Sequence, residues 1–125
     1  MSGAVLDAGA LIAFERNDRR MVAIVARALA HGDPLVVPAG VVAQTWRDGR
    51  SQVRLGRLLA APVCEVAALD DRAARGVGQL CGTSGTSDVV DASVAFVARR
   101  RALRVITSDP DDLRRVDRRL EIVAL

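Results

Sequence analysis

Short apolar runs alternate along the chain with longer segments in which apolar residues recur every three or four positions. A short apolar run bounded by turn residues is typical of a buried strand, and the wider spacing is typical of a helix with one apolar face. The runs predict five strands, at about 4–6, 35–37, 63–66, 104–106 and 120–125. The helical spacing predicts helices at about 8–14, 19–30, 38–49, 51–59, 69–80, 88–100 and 110–116.

Strands that alternate with helices predict an α/β fold, because right-handed crossovers build a parallel sheet with helices on its faces. We therefore expect a single three-layer domain with a mostly parallel, about five-stranded sheet flanked by helices. The chain has 125 residues, half of them apolar, which suffices for one hydrophobic core. The prediction is one domain over residues 1–125.

The helix pattern is weakest in the third quarter of the chain. Gly76 and Gly78 interrupt the helix predicted over 69–80, and the sequence GTSGTS at 82–87 predicts a loop. Thr86 or Ser87 is expected to cap the following helix, whose acidic start suits the positive end of the helix dipole.

Neither export nor membrane insertion is indicated by the sequence. Residues 1–14 lack the basic start of a signal peptide, and no apolar run approaches the length of a membrane span. Cys64 and Cys81 lie in apolar segments without a CxxC motif, so they are expected to be reduced thiols. We expect a cytoplasmic protein with no membrane partner.

All eighteen basic residues are arginine, and the net charge is +3. The planar guanidinium group binds phosphate oxygens in bidentate fashion, so this surface is compatible with a nucleic-acid partner. Genomic codon bias explains the same composition equally well. The absence of lysine excludes every mechanism that needs an ε-amine.

Aspartates follow two of the predicted strands directly. Asp7 ends the first strand, and Asp109 follows the fourth within Val105-Ile106-Thr107-Ser108-Asp109. In open parallel sheets the functional crevice lies beyond the carboxyl ends of the strands. If the first and fourth strands are neighbours, these two side chains lie side by side.

Three further aspartates are candidates for the same site. Asp88 and Asp91 share one face at the start of the helix over 88–100, and Asp112 follows Pro110 in the last predicted helix. For Asp88 and Asp112 a role only as a first-turn helix charge stays open. Converging carboxylates repel one another unless a divalent cation neutralises them.

The predicted ligands are carboxylates without histidine or thiolate, and such oxygen ligands favour Mg²⁺ or Mn²⁺ over zinc. These ions support phosphodiester hydrolysis with few additional catalytic groups. The sequence therefore predicts a metal-dependent nuclease site.

Three segments together carry a family resemblance: VLDAGALIAF at 5–14, VVPAGVVAQTWR at 36–47 and DVVDASVAFVARRRALRVITSDPDDL at 88–113. In this order and spacing they resemble the PIN-domain nucleases, particularly the VapC-type toxins of toxin-antitoxin pairs, over nearly the whole chain. The resemblance implies an endoribonuclease that uses Mg²⁺ or Mn²⁺.

The resemblance also implies individual roles. Asp7 matches the family's first acidic ligand, and Asp91 matches the acid of the family's DAxxA helix motif. Thr107 and Asp109 match the segment after the fourth strand, with Asp112 at the downstream acid and Thr107 orienting a ligand. Asp88 would be an added carboxylate.

One position departs from the family pattern. The helix after the second strand usually presents a glutamate, whereas this chain has Gln44. An amide oxygen still binds a metal but brings no charge, so weaker metal binding and weaker or absent activity are expected. Asp48, one helical turn later, or Asp88 would compensate.

The resemblance further implies RNA as substrate, a homodimer, and an antitoxin protein that masks the active-site groove. The stripe of Leu55, Leu58 and Leu59 serves either such a partner or the core. Arg54 and Arg57, on the opposite face, bind RNA phosphates or only face solvent. The alternative function is a catalytically weak or inactive PIN-like module that binds RNA or a protein partner.

Other phosphate-handling folds fit less well. A receiver domain and a P-loop both require a lysine, which this chain lacks. A haloacid-dehalogenase-like phosphatase would have Asp-x-Asp after the first strand, whereas this sequence has Asp7-Ala8-Gly9.

Overall fold

The computed structural model describes residues 3–125, so residues 1 and 2 of the predicted domain lie outside the described part. Within that part, helices and strands alternate as the sequence predicts. The elements are β1 (Ala4–Leu6), α1 (Ala8–Glu15), α2 (Arg19–His31), β2 (Leu35–Pro38), α3 (Ala39–Thr45), α4 (Val53–Ala60), β3 (Cys64–Ala67), α5 (Asp71–Ser84), α6 (Val89–Arg101), β4 (Arg104–Thr107), α7 (Pro110–Val116) and β5 (Ile122–Ala124).

All five strands run parallel in the order β3-β2-β1-β4-β5, which confirms the predicted fold class. Strand β1 lies at the centre, with Val5 and Leu6 fully buried. Leu6 pairs with Ile106, so β1 and β4 are neighbours as the site prediction requires. The strands that follow β1 in the chain, β2 and β3, lie on one side of it, whereas β4 and β5 lie on the other side. The order of strands thus reverses between β1 and β4, and ligands of open α/β sheets bind at such a switch point.

Helices cover both faces of the sheet. Right-handed crossovers place the helices between β1, β2 and β3 on one face, where α1 packs against α2 and α4. They place α5, α6 and α7 on the opposite face, where these three helices contact one another. Helix α3 starts where β2 ends and packs between α1 and α6 at the carboxyl edge of the sheet.

Helix α5 is longer than the sequence predicts. It continues to Ser84 and ends at Gly85 in a left-handed conformation, so only part of the predicted loop over 82–87 is a loop. Gly76 does not break the helix, because it provides room for a neighbour: a Cβ there would lie 2.3 Å from Cε1 of Phe96 on α6. Packing between α5 and α6 therefore outweighs the poor helix propensity of glycine.

Helix α3 ends at Thr45, earlier than the predicted end near Gly49. The segment that follows is held by the buried side chain of Gln52, whose Oε1 accepts from the backbone amides of Arg47 (2.7 Å) and Asp48 (2.9 Å). Its amide nitrogen donates to the carbonyl of Thr45 at 2.9 Å. A turn built around one glutamine thus replaces the last predicted helical turn.

The apolar stripe of α4 belongs to the core, since Leu55 and Leu58 are buried and Leu59 packs against the core. Between residues 3 and 125, no helix combines the length and apolar character that crossing a bilayer demands.

Candidate active site at the carboxyl edge of the sheet

Asp7 follows β1 directly and is 7% exposed. Its Oδ1 accepts from the backbone amide of Ala10 at 2.9 Å and thereby caps α1. Burial raises the pKa of Asp7, while the hydroxyl of Thr107 and nearby backbone amides lower it.

The loop after β4 lies against the loop after β1. Thr107 is fully buried, and its Oγ1 accepts from the backbone amide of Asp109 at 2.8 Å. A Cβ on Gly9 would lie 2.1 Å from Oγ of Ser108, so only glycine fits at that point of α1. The two strand ends are therefore in direct contact, with Asp7 and Thr107 side by side.

Asp88 and Asp91 come from the start of α6. Asp88 is exposed and caps the helix, because its Oδ1 accepts from the backbone amide of Asp91 at 3.0 Å. The prediction that Thr86 or Ser87 caps this helix is therefore wrong. Thr86 instead accepts, through its Oγ1, from the backbone amide of Asp88 at 3.1 Å.

Asp91 experiences several negative charges at once. Burial and, in decreasing order, the charges of Asp88, Asp112 and Asp7 together raise its pKa to about 6. These carboxylates come from three separate segments of the chain, so their mutual repulsion is evidence that the fold gathers them.

Asp88, Asp91 and Asp112 line a cavity of about 300 Å³, together with Arg115 and the loop from Ser84 to Thr86. We call this cavity the acidic pocket. Asp112 accepts from Nη1 of Arg115 at 2.9 Å on an exposed side of α7. The arginine neutralises only part of the negative charge.

Asp109 and Gln44 lie at the margin of this arrangement. Asp109 is exposed, and its hydrogen bond with Asp112 raises its pKa. Gln44 is exposed on α3 and makes no side-chain hydrogen bond among residues 3–125. It lies one turn beyond Gly40, where an added Cβ would be 3.7 Å from Val90, so Gln44 shares the face of α3 that leads toward α6.

In their present positions, no three carboxylate, imidazole or thiol side chains within 3–125 are grouped closely enough to hold a metal ion. The charges of Asp7, Asp88 and Asp112 nevertheless act on Asp91 and raise its pKa. Asp109 lies beside Asp112. Asp48 is engaged elsewhere, since its Oδ1 accepts from the backbone amide of Arg50 at 2.9 Å.

Sequence reasoning missed Arg115 and the hydroxyl groups of the loop after α5. Arg115 follows Asp112 by three residues on a helix, so the two side chains lie on one face. This spacing is visible in the sequence and indicates that Arg115 lies close to Asp112. Ser84 and Thr86 gave no such signal, because their proximity to the acidic pocket depends on how α5 ends.

The comparisons with known proteins agree with the fold. The family model described as "PIN domain" matches residues 4–119. The chain is similar to a structure of VapBC2 from Rickettsia felis bound to a DNA fragment from its promoter, with 12% identity, 98% of each chain covered and a TM-score of 0.70.

Two further solved structures are similar. One, of FitAB bound to the IR36 DNA fragment, has 17% identity, a TM-score of 0.64 and coverage of 97% of this chain and 94% of that one. The other, of FitAcB from Neisseria gonorrhoeae, has 20% identity, a TM-score of 0.62 and coverage of 95% of both chains. A search of curated protein sequences gave no match.

The match to the family model covers nearly the whole chain, and the parallel α/β fold agrees with it. The resemblance predicted from the three sequence segments is confirmed at the level of the family. This chain belongs to the PIN-domain family.

Proposed function

We propose that this protein is an endoribonuclease that depends on Mg²⁺ or Mn²⁺ and acts as the toxin of a toxin-antitoxin pair. The observation that carries the proposal is the acidic pocket: Asp88, Asp91 and Asp112 line one open cavity beside the buried Asp7, at the switch point of the sheet. Membership of the PIN-domain family supports the same function.

The donor set fits a hard divalent cation. It consists of carboxylate oxygens without thiolate or imidazole, which is the chemistry that Mg²⁺ and Mn²⁺ prefer. Asp7 and Asp88 each use one oxygen, Oδ1, as a helix cap. The proposed ligands are Asp7, Asp91, Asp109 and Asp112, with Asp88 as the added carboxylate, and binding would require the exposed side chains to turn inward.

When bound, the cation would neutralise this charge, polarise a phosphoryl oxygen and make water a better nucleophile. The chain's own residues would prepare the site. The cap bond to Ala10 and the Thr107 hydroxyl fix the orientation of Asp7. Arg115, on the wall of the acidic pocket, is placed to bind a phosphate oxygen of the substrate.

The test is cleavage of a mixture of structured RNAs by the purified protein with Mn²⁺. We expect cleavage by the parent, none by Asp7→Ala or Asp91→Asn, and an unchanged rate for Asp33→Asn, which removes one charge from the loop after α2. Circular dichroism verifies that each variant is folded. Cleavage that survives Asp7→Ala unchanged would come from a contaminant and would contradict the proposal.

The alternative is a catalytically weak or inactive module that binds RNA or a protein partner, and Gln44 is the feature that favours it. Gln44→Glu would add a carboxylate on the face of α3 that leads toward α6. We expect tighter Mn²⁺ binding in calorimetry and faster cleavage than in the parent. Unchanged values for both would show that the amide is no handicap, and an inactive parent with an active variant would establish the alternative.

We also propose an antitoxin partner, a homodimer and a cytoplasmic location. The similar solved structures include VapBC2 and FitAB, each bound to a DNA fragment. Light scattering of the purified protein should give twice the chain mass of 13.3 kDa. Co-expression with the protein encoded next to this chain should give a stable complex that no longer cleaves RNA, and a monomer that forms no complex would contradict this part of the proposal.

A further inference from the structure

A second cavity, of about 650 Å³, lies between α5, α6 and α7 on the face of the sheet that these helices cover. Its volume is in the range of about 300–1,000 Å³ that is usual for ligand sites. We call it the arginine groove, and it is lined mainly by Gln79, Leu80, Phe96, Arg99, Arg100 and Arg119.

The charge of the arginine groove is opposite to that of the acidic pocket. Three arginines line it against one carboxylate, Asp117, whereas three aspartates line the acidic pocket against Arg115. The side chain of Asp117 is 12% exposed, and its Oδ2 accepts from Nη1 of Arg99 at 2.7 Å. The Nε atom of Arg119 lies 4.0 Å from Oδ1 of Asp117, which is a weaker ion pair. Arg100 is exposed and has no ion pair within residues 3–125, so two guanidinium groups are available to a ligand.

The two cavities are neighbours. Thr83 lines the arginine groove and the next residue, Ser84, lines the acidic pocket. In the same way Val116 lines the arginine groove and Arg115 lines the acidic pocket. Along α6, the groove residue Arg99 is eight residues beyond Asp91, an axial rise of about 12 Å at about 1.5 Å per residue.

Phe96 also lines the arginine groove, although the ring packs against Gly76 of α5 as well. Single-stranded nucleic acids are bound by positive grooves that follow the backbone and by aromatic rings on which bases stack. An acidic protein segment would use the charges of the groove but would have no need of the neighbouring acidic pocket.

We propose that single-stranded RNA lies along the arginine groove while the acidic pocket holds the bond to be cut, with Arg100 and Arg119 bound to backbone phosphates. This inference rests on the proposed function and adds the path of the substrate. The groove supplies the affinity that the acidic pocket cannot, because carboxylates repel phosphates in the absence of a cation.

The test is fluorescence anisotropy of a short, unstructured, fluorescein-labelled RNA in EDTA, at several salt concentrations. The double variant Arg100→Gln/Arg119→Gln is compared with Arg19→Gln/Arg27→Gln, which removes the same charge from exposed positions of α2 on the other face. Two lost phosphate contacts should reduce the slope of log K against log salt by about 1.4, which makes binding about 25-fold weaker at ~0.1 M salt. The α2 variant should bind RNA like the parent.

Cleavage with Mn²⁺ separates this inference from the proposed function. The groove variant should show a KM raised by a similar factor and an unchanged kcat, whereas Asp91→Asn should lose kcat without losing RNA affinity in EDTA. A parent that binds RNA through these arginines but does not cleave it would refute only the proposed function. A groove variant with parental affinity and parental KM would refute only the groove.

Duplex DNA of the same sequence and an oligoglutamate peptide test the other polyanions. The proposal requires that both compete with the RNA more weakly than unlabelled RNA does. Stronger competition by oligoglutamate would assign the groove to an acidic protein segment and overturn the proposal, and stronger competition by duplex DNA would overturn it in the same way.

Discussion

Asp91 is expected to destabilise the metal-free protein at neutral pH, and asparagine in its place should relieve that effect. Burial and the charges of Asp88, Asp112 and Asp7 raise its pKa from 3.8 to about 6. The folded state therefore binds this proton more tightly than the unfolded state. The resulting stabilisation is fully present below about pH 4 and is lost as the pH rises through about 6.

The magnitude follows from the shift of about two pKa units, which corresponds to about 3 kcal/mol at 1.36 kcal/mol per unit. Asp91 is only partly buried, and solvent screening reduces this to about 1.5 kcal/mol. Asparagine also loses the favourable interaction of a first-turn acid with the helix dipole, about 0.5 kcal/mol. The net gain for Asp91→Asn above about pH 7 is therefore about 1 kcal/mol, or about 4 °C in Tm for a domain of this size.

The assay is thermal unfolding in EDTA at about pH 4 and about pH 8, with Asp33→Asn as the charge-matched control. We expect Asp91→Asn to exceed the parent only at the higher pH and the control to follow the parent at both. Saturating Mn²⁺ should reverse the order, since a ligand at about 100 times its Kd adds about 2.7 kcal/mol to the parent. Equal Tm values at about pH 8, together with a parent whose stability does not change between the two pH values, would refute the reasoning.

Three further predictions concern packing and hydrogen bonds. Gly76→Ala should lower the free energy of unfolding by about 1–3 kcal/mol, because the added Cβ meets Phe96 at 2.3 Å. Gly78→Ala, in the same helix with nothing within 4 Å, should raise it by about 0.5–1 kcal/mol, and the same sign for both in urea unfolding would contradict the packing argument. Gln52→Ala should cost about 2–3 kcal/mol in the same measurement, since it removes the buried amide that joins α1 to the end of α3, and a cost below about 0.5 kcal/mol would contradict this. Thr107→Val should move the acid limb of the pH-rate profile to higher pH, because the Thr107 hydroxyl lowers the pKa of Asp7. Thr107→Ser keeps the hydroxyl and should leave the acid limb in place. An acid limb that valine does not move would contradict this role of Thr107.

Local features of the site followed from the sequence because backbone geometry sets them. The apolar run before Asp7 and the periodicity after it predict a strand followed by a helix, and the structure has both. The acidic start of the helix predicted over 88–100 suits the positive end of its dipole, although the cap is Asp88 and not Thr86 or Ser87 as predicted. A side chain placed at a strand end or a helix start is fixed within a few residues, so no distant contact was needed.

The lengths of α3 and α5 did not follow from the sequence, because side-chain contacts determine them. Gly76 is unfavourable for a helix by local propensity, yet Phe96, twenty residues away, requires its lack of a side chain. Gln52 ends α3 by binding the backbone amides of Arg47 and Asp48, which a longer helix would have used within itself. The Gln52 bonds are local, but helix propensity and hydrophobic periodicity do not describe a side chain that binds backbone amides.

The sequence predicts that the carboxylates lie close together only if β1 and β4 are adjacent strands. Hydrophobic periodicity does not reveal the order of strands in a sheet. The sequence by itself determined which residues are acidic, which elements carry them and at which end of each element they lie. Only the tertiary structure decided that the charges of Asp7 and Asp112 act on Asp91 and that arginines from α6 and from the segment after α7 line a neighbouring groove. The physical reason is that charge repulsion and attraction depend on distance through space, and that distance exists only once the sheet order is set.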